Sequence, residues 1–209
     1  RQMCIRDRLK SVFMFVPGVM TVILMLVSAM MTSIAITREK ELGTMEILLV
    51  SPLSPAIIVI GKVIPYIVLA FFNTIVILLL GTHVFGMPIE GSLVLLLAEC
   101  VLFVLTSLAL GILISTRTSS QQVAMMISLI ALMLPTVLLS GFIFPIESMP
   151  LPLQWLSNII PAKWFIIILK NIMLKGTGME FIWKETLILV GMTFFFIAAS
   201  VRNFKIRLE

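Results

Sequence analysis

The sequence predicts an all-α membrane protein: five transmembrane helices, a short helix at the membrane surface and a re-entrant helical hairpin. Three observations lead there. The 209 residues are 60% hydrophobic and only 12% charged, with a mean hydropathy of +1.19. Soluble domains are about 45–50% apolar and about 25% charged, so a chain of this length could not hide so much apolar surface. Five apolar runs are long enough to cross a hydrocarbon core of roughly 30 Å at about 1.5 Å per residue. Two segments interrupt them, one charged and one rich in Pro and Trp.

The chain opens with Arg1 rather than Met. Residues 1–8 differ in character from the rest of the chain and have the look of translated adapter sequence, so they are read as a non-native leader and set aside. The first span is expected over 12–36. Pro17 lies near its start, where a proline costs a helix least. Ser28/Thr32 and Ala29/Ser33 form small-xxx-small pairs that let helices approach closely.

Next comes Thr37-Arg-Glu-Lys-Glu-Leu-Gly-Thr-Met-Glu-Ile-Leu-Leu-Val-Ser-Pro-Leu-Ser-Pro55. It is charged at its front and closed by two Ser-Pro pairs. Read as a helix, Glu39 and Glu46 share one face, and Leu42, Met45 and Leu49 another. One face can then lie on lipid or the span bundle while the carboxylates meet a soluble protein. Thr37 could cap its start, with Glu39 favourable in the first turn. Gly43 would let another backbone come close, at a helix cost of roughly 1 kcal/mol. An ordinary solvated loop is the plainer reading of the same residues.

The second span is expected over 56–80, with Ser54 as N-cap, Pro55 as first helical residue and a kink at Pro65. The third covers 93–114, with Ser107, Gly111 and Ser115 on one small face. A polar loop carrying Arg117 leads to the fourth, 123 to about 144, with Pro135 inside. Residues 140–185 hold Pro145, Pro150, Pro152, Pro161, Trp155, Trp164 and Trp183. Their apolar runs are short, and Trp at this density suits a membrane–water interface. They read as two short helices that dip in and return, buried against protein. The last span is 186–201, beginning as early as Phe181, before a basic tail.

Five spans put the two ends on opposite sides. With the charged stretch inside, the inner cations are Arg38, Lys40, Lys62, Arg117, Arg202, Lys205 and Arg207. The outer ones are Lys10, Lys163, Lys170, Lys175 and Lys184, once Arg1, Arg6 and Arg8 are set aside. The positive-inside rule favours this orientation by a narrow margin.

The net charge is +5 with a pI of about 9.6. No basic patch is interleaved with aromatics, so nucleic acid is excluded as a partner and the cations are assigned to orientation. Cys4 and Cys100 are the only cysteines and His83 the only histidine. That leaves no CxxC, no HExxH and no multi-His zinc site. There is no GxSxG and no GxxxxGK[ST], so the chain is read as no hydrolase and no ATP binder, with no metal and no cofactor. Glu99 stands inside the third span, where a charge costs roughly 2.5–3.5 kcal/mol. It is either a residue of a translocation path or a helix-packing hydrogen-bonder, and Asn73 invites the same two readings.

The charged stretch closely resembles the EKExGTxExLLxxPLSP segment of ABC-2 type transporter permeases, in their drug-efflux-like branch. Leu139-Ser-Gly-Phe-Ile-Phe-Pro-Ile-Glu-Ser-Met-Pro150, followed by Gln154-Trp-Leu-Ser157, Pro161 and Trp164-Phe165, resembles their SGxxFPxxxMPxxLQWLSxxxPxxYF region. It departs from that pattern at Trp164. The likeness implies a transmembrane domain over 9–209 that lacks the family's first helix and extracytoplasmic domain. It implies a coupling helix in the charged stretch, docking an ABC ATPase subunit through Arg38, Glu39, Glu41, Gly43, Thr44 and Glu46. It also implies a second permease subunit, in a homo- or heterodimer, and a multi-pass place in the cell inner membrane. The function implied is the permease of an ATP-binding cassette exporter. The alternative is a non-transport membrane anchor or assembly subunit for an ATPase, since a scaffold does not settle function.

Overall fold

A computed structural model describes residues 2–43, 55–84, 86, 90–142 and 146–205. The described chain forms seven helices: α1 (Gln2–Glu41), α2 (Pro55–His83), α3 (Leu93–Arg117), α4 (Gln121–Leu139), α5 (Leu151–Ser157), α6 (Pro161–Lys175) and α7 (Met179–Lys205). Five of them contain segments long and apolar enough to cross a membrane: Phe15–Glu41, Ile64–His83, Leu93–Arg117, Gln121–Leu139 and Met179–Arg202. These are the five expected spans. The expected surface stretch from residue 44 onward, and Ser54 as the cap of the second span, lie outside the described residues.

The boundaries differ in instructive ways. α1 continues to Glu41 because Thr37 to Glu41 contains no glycine or proline to stop it. It ends where Gly43 turns to φ +72°, a left-handed conformation that glycine adopts freely. Pro17 is therefore interior rather than at a helix start, and the Thr21 hydroxyl donates to its carbonyl at 2.7 Å. In α4 the residues before Pro135 open into a π turn, Leu129–Met133. A proline ring crowds the carbonyl four residues back and offers no N–H, and a wider turn relieves both.

The contacts fix the direction of each helix. We call the end of the bundle where α1, α3 and α7 begin the front, and the other the back. α1 and α3 are parallel, since Ala29 meets Gly111 and Thr37 meets Thr118. α3 and α7 are parallel too, since Glu99 meets Thr186 and Thr106 meets Thr193. α2 returns to the front, where Gly81 lies beside Val16. α4 starts at the back against Glu41 and leads forward to Phe142, which packs on Phe15. α1 thus begins and α7 ends on opposite sides, as the span count requires.

α6 runs against α3. Its Phe165 stacks on Phe103, with ring centroids 4.0 Å apart. Near its outer end Ile172 presses on Gly91, and Gly176 (φ +60°) closes beside the Glu90 carbonyl. Phe103 is about 15 Å in from the start of α3 at the helical rise. The α5–α6 pair, bent by 79°, therefore follows a helix that ends at the front and leaves at the front itself. That is the expected re-entrant hairpin. Its second helix is well packed: Ala162, Phe165, Ile168, Leu169, Ile172 and Met173 are buried.

The α1–α3 crossing rests on small residues. A Cβ on Gly111 would lie 2.4 Å from the Ala29 carbonyl oxygen, so only glycine fits. Ser107 and Ser115 share that buried face, opposite buried Ala29 and Ser33. Lipid is as apolar as leucine, so close backbone approach replaces the hydrophobic drive that holds soluble helices together. α2 and α7 instead turn Val68, Phe72, Val76, Leu187, Phe194 and Phe195 outward. Such a surface suits acyl chains.

Candidate functional site

The charged end of α1 lies at the back of the bundle, and short polar side chains hold it there. The Thr37 hydroxyl donates to the Ser33 carbonyl at 2.8 Å and sits 3.1 Å from the hydroxyl of Thr118. Thr37 is thus an interior helical residue facing α3, not the cap of a separate helix. Lys40 Nζ donates to the carbonyl of Ser115. Glu41 Oε2 accepts from the backbone N–H of Gln121 at 3.1 Å and from its Nε2 at 2.9 Å. Arg38 and Arg117 are exposed nearby.

The candidate docking residues divide accordingly. Arg38 is exposed and Glu39 half-buried, both in the last turn of α1. Glu39 is therefore not in the first turn of a surface helix. Glu41 spends one carboxylate oxygen within the chain. Gly43 is exposed, and nothing lies within 4 Å of the Cβ it lacks. Within the described residues it supplies the left-handed turn that ends α1. Thr44 and Glu46 themselves lie outside the described residues.

The candidate path residues lie elsewhere. Asn73 is half-buried on α2. Glu99 is 3% exposed on α3, and its Oε1 accepts a 2.7 Å hydrogen bond from Thr186 on α7. Its other oxygen is buried without a hydrogen-bond partner among the described residues. One heptad further along each helix, Thr106 and Thr193 stand 2.7 Å apart. Glu99 therefore faces α7, which favours its helix-packing reading, and the structure does not join it to Asn73 as one site. The shared spacing of seven, 99 to 106 and 186 to 193, was the available signal for this pairing. Cys100 is buried and free, and His83 is exposed at the end of α2. Among the described residues no three His, Cys, Asp or Glu side chains come together as a metal site would need.

Comparison with known proteins bears on this arrangement. The family profile "ABC-2 family transporter protein" matches residues 6–202. "Probable multidrug ABC transporter permease YbhS" of Escherichia coli (strain K12) is 36% identical over 194 residues, covering 93% of this chain and 52% of that protein. "Probable multidrug ABC transporter permease YbhR" of the same organism is 37% identical over 170 residues, covering 81% and 46%. "ABC transporter G family member 20" of Dictyostelium discoideum is 28% identical over 194 residues, covering 92% of this chain and 26% of the relative. The chain spans about half the length of the bacterial relatives it matches.

Proposed function

Because the chain belongs to the ABC-2 family of transporter proteins, we propose that it is the membrane permease part of an ATP-binding cassette exporter. In this reading ATP is hydrolysed by a partner subunit, since the chain carries no P-loop. Two permease subunits, identical or different, enclose the path in a cell inner membrane. Residues 44–54, with Arg38, Glu39 and Gly43 before them, form the surface that receives the ATPase. The back of the bundle is then cytoplasmic.

One observation carries the docking proposal. The most charged end of any span, the last turn of α1, is clamped at the back of the bundle and leads directly into residues 44–54. A partner pressing there acts on a helix that is already held, so displacement reaches the spans instead of dissipating in a loop. Apolar or amphiphilic molecules are the proposed cargo. The bacterial relatives are named as probable multidrug permeases, and the described span residues offer no cluster of charges suited to an ion or a sugar.

The test is co-purification with an ABC ATPase subunit produced together with the chain. Glu39→Lys combined with Glu46→Lys is expected to lower ATPase recovery about tenfold, as losing roughly 1.4 kcal/mol of binding would do. Membrane insertion of the permease should stay normal. Undiminished recovery would sink the assignment of these carboxylates. A partner that docks, yet drives no efflux from vesicles with either chain, would favour the anchor reading instead.

A further inference from the structure

Three contacts join the last turns of α1 to the end of α3, the turn after it and the start of α4, all at long range in sequence: Thr37 with Thr118, Lys40 with the Ser115 carbonyl, and Glu41 with Gln121. Thr37, Ser115 and Thr118 are buried. Only residues 118–120 separate α3 from α4, so the clamp grips the end of one helix and the start of the next. Gln121 is the first residue of α4 and gives Glu41 both its backbone and side-chain donors. Glu41 is exposed, so these two bonds to one carboxylate oxygen add little stability and instead set position and direction. Further along α4, the π turn at Leu129–Met133 is a natural place for bending.

We infer that the end of α1 and the α3–α4 turn move as one body, with Gln121 as the positioning residue that passes displacement of residues 44–54 into α4. This inference rests on the docking function proposed above. It adds that the stroke enters the bundle at two helices, α1 and α4, rather than at α1 alone. The α4 helix follows as far as its π turn, where the bend is taken up.

The experiment uses the full chain with its ATPase subunit in liposomes, following phosphate release and efflux of ethidium as an amphiphilic probe. Gln121→Ala should keep the ATPase bound and hydrolysing, while ethidium exported per ATP falls about 5–10-fold, within the usual range of coupling between sites. In a second variant, Thr37→Cys with Thr118→Cys, the observed 3.1 Å between hydroxyls brings the two sulfurs within bonding reach. Oxidation should then leave efflux unchanged, because the joined parts already move together. Unaltered coupling in Gln121→Ala would overturn the inference. So would efflux that stops on oxidation and returns on reduction, since the clamp would then have to open. Where the reduced cysteine pair is itself inactive, Gln121→Ala decides. Failure of the unaltered chain to retain the ATPase would remove the docking reading and this inference with it, an outcome separate from the others.

Discussion

The two ends of α3 are held by opposite chemistry. At the front its partner is α6, which meets it through a stacked phenylalanine pair and through glycines that let backbones touch. At the back its partner is the end of α1, met through hydroxyls and a lysine, while the Glu41 carboxylate beside them holds the start of α4. Apolar packing is dense but not directional, and it is spread over many small contacts. Hydrogen bonds are few and directional, so removing one changes a position more than it changes total stability. On the proposed function, the difference divides the bundle into a front that stays and a back that transmits. Substitutions at the front should lower stability without uncoupling, and Gln121→Ala at the back should do the reverse.

The largest expected effect is at the front. Phe165→Ala removes a ring that is fully buried against Phe103 and leaves a cavity under the re-entrant hairpin. A loss of about 3–5 kcal/mol is the usual cost of such a change. Thermal unfolding in detergent should show it as a strongly lowered midpoint. The surviving folded fraction should still export ethidium at the normal ratio to ATP. A variant that stays stable but loses that ratio would erase the distinction between the two ends.

Much of this architecture was legible in the sequence. Run length and apolarity gave the five spans, and the spacing of Ser107, Gly111 and Ser115 gave a packing face that the structure sets against Ala29. The end of α1 was not legible in the same way. Thr37 has the residue type of a cap, but it sits where a helix can simply continue, and only Gly43 offers a conformation that ends it. The clamp itself joins residues about eighty apart, Glu41 to Gln121, and no local pattern encodes such a pairing. The π turn left only Pro135 as a hint. Of the proposed docking surface, Thr44 and Glu46 rest on the motif alone.

The α3–α7 ladder lies between the two ends and sharpens the contrast. Thr186→Val would remove the one hydrogen bond given to Glu99 among the described residues, leaving both oxygens of a buried carboxylate without a donor there. The expected loss is about 1–3 kcal/mol, the cost of leaving a buried polar group unsatisfied. Glu99→Gln keeps an acceptor for the threonine and should lose less. If Glu99→Gln instead stays fully stable and abolishes ethidium efflux, the path reading of Glu99 regains its place over the packing one.

The smallest effect should come one heptad away. Thr106→Val breaks the bond to Thr193, yet the Thr193 hydroxyl keeps its own helical partner, the Leu189 carbonyl at 2.8 Å. No charge is involved and no group is orphaned. Hydrogen bonds between membrane helices average about 0.6 kcal/mol, and the change should shift the unfolding midpoint by little more than that implies. The paired measurement is decisive: two rungs of one ladder, equal in length and seven residues apart, should differ severalfold in cost. Equal losses would mean that Glu99 is no more dependent on its partner than a threonine is, and that its second oxygen finds a donor outside the described residues.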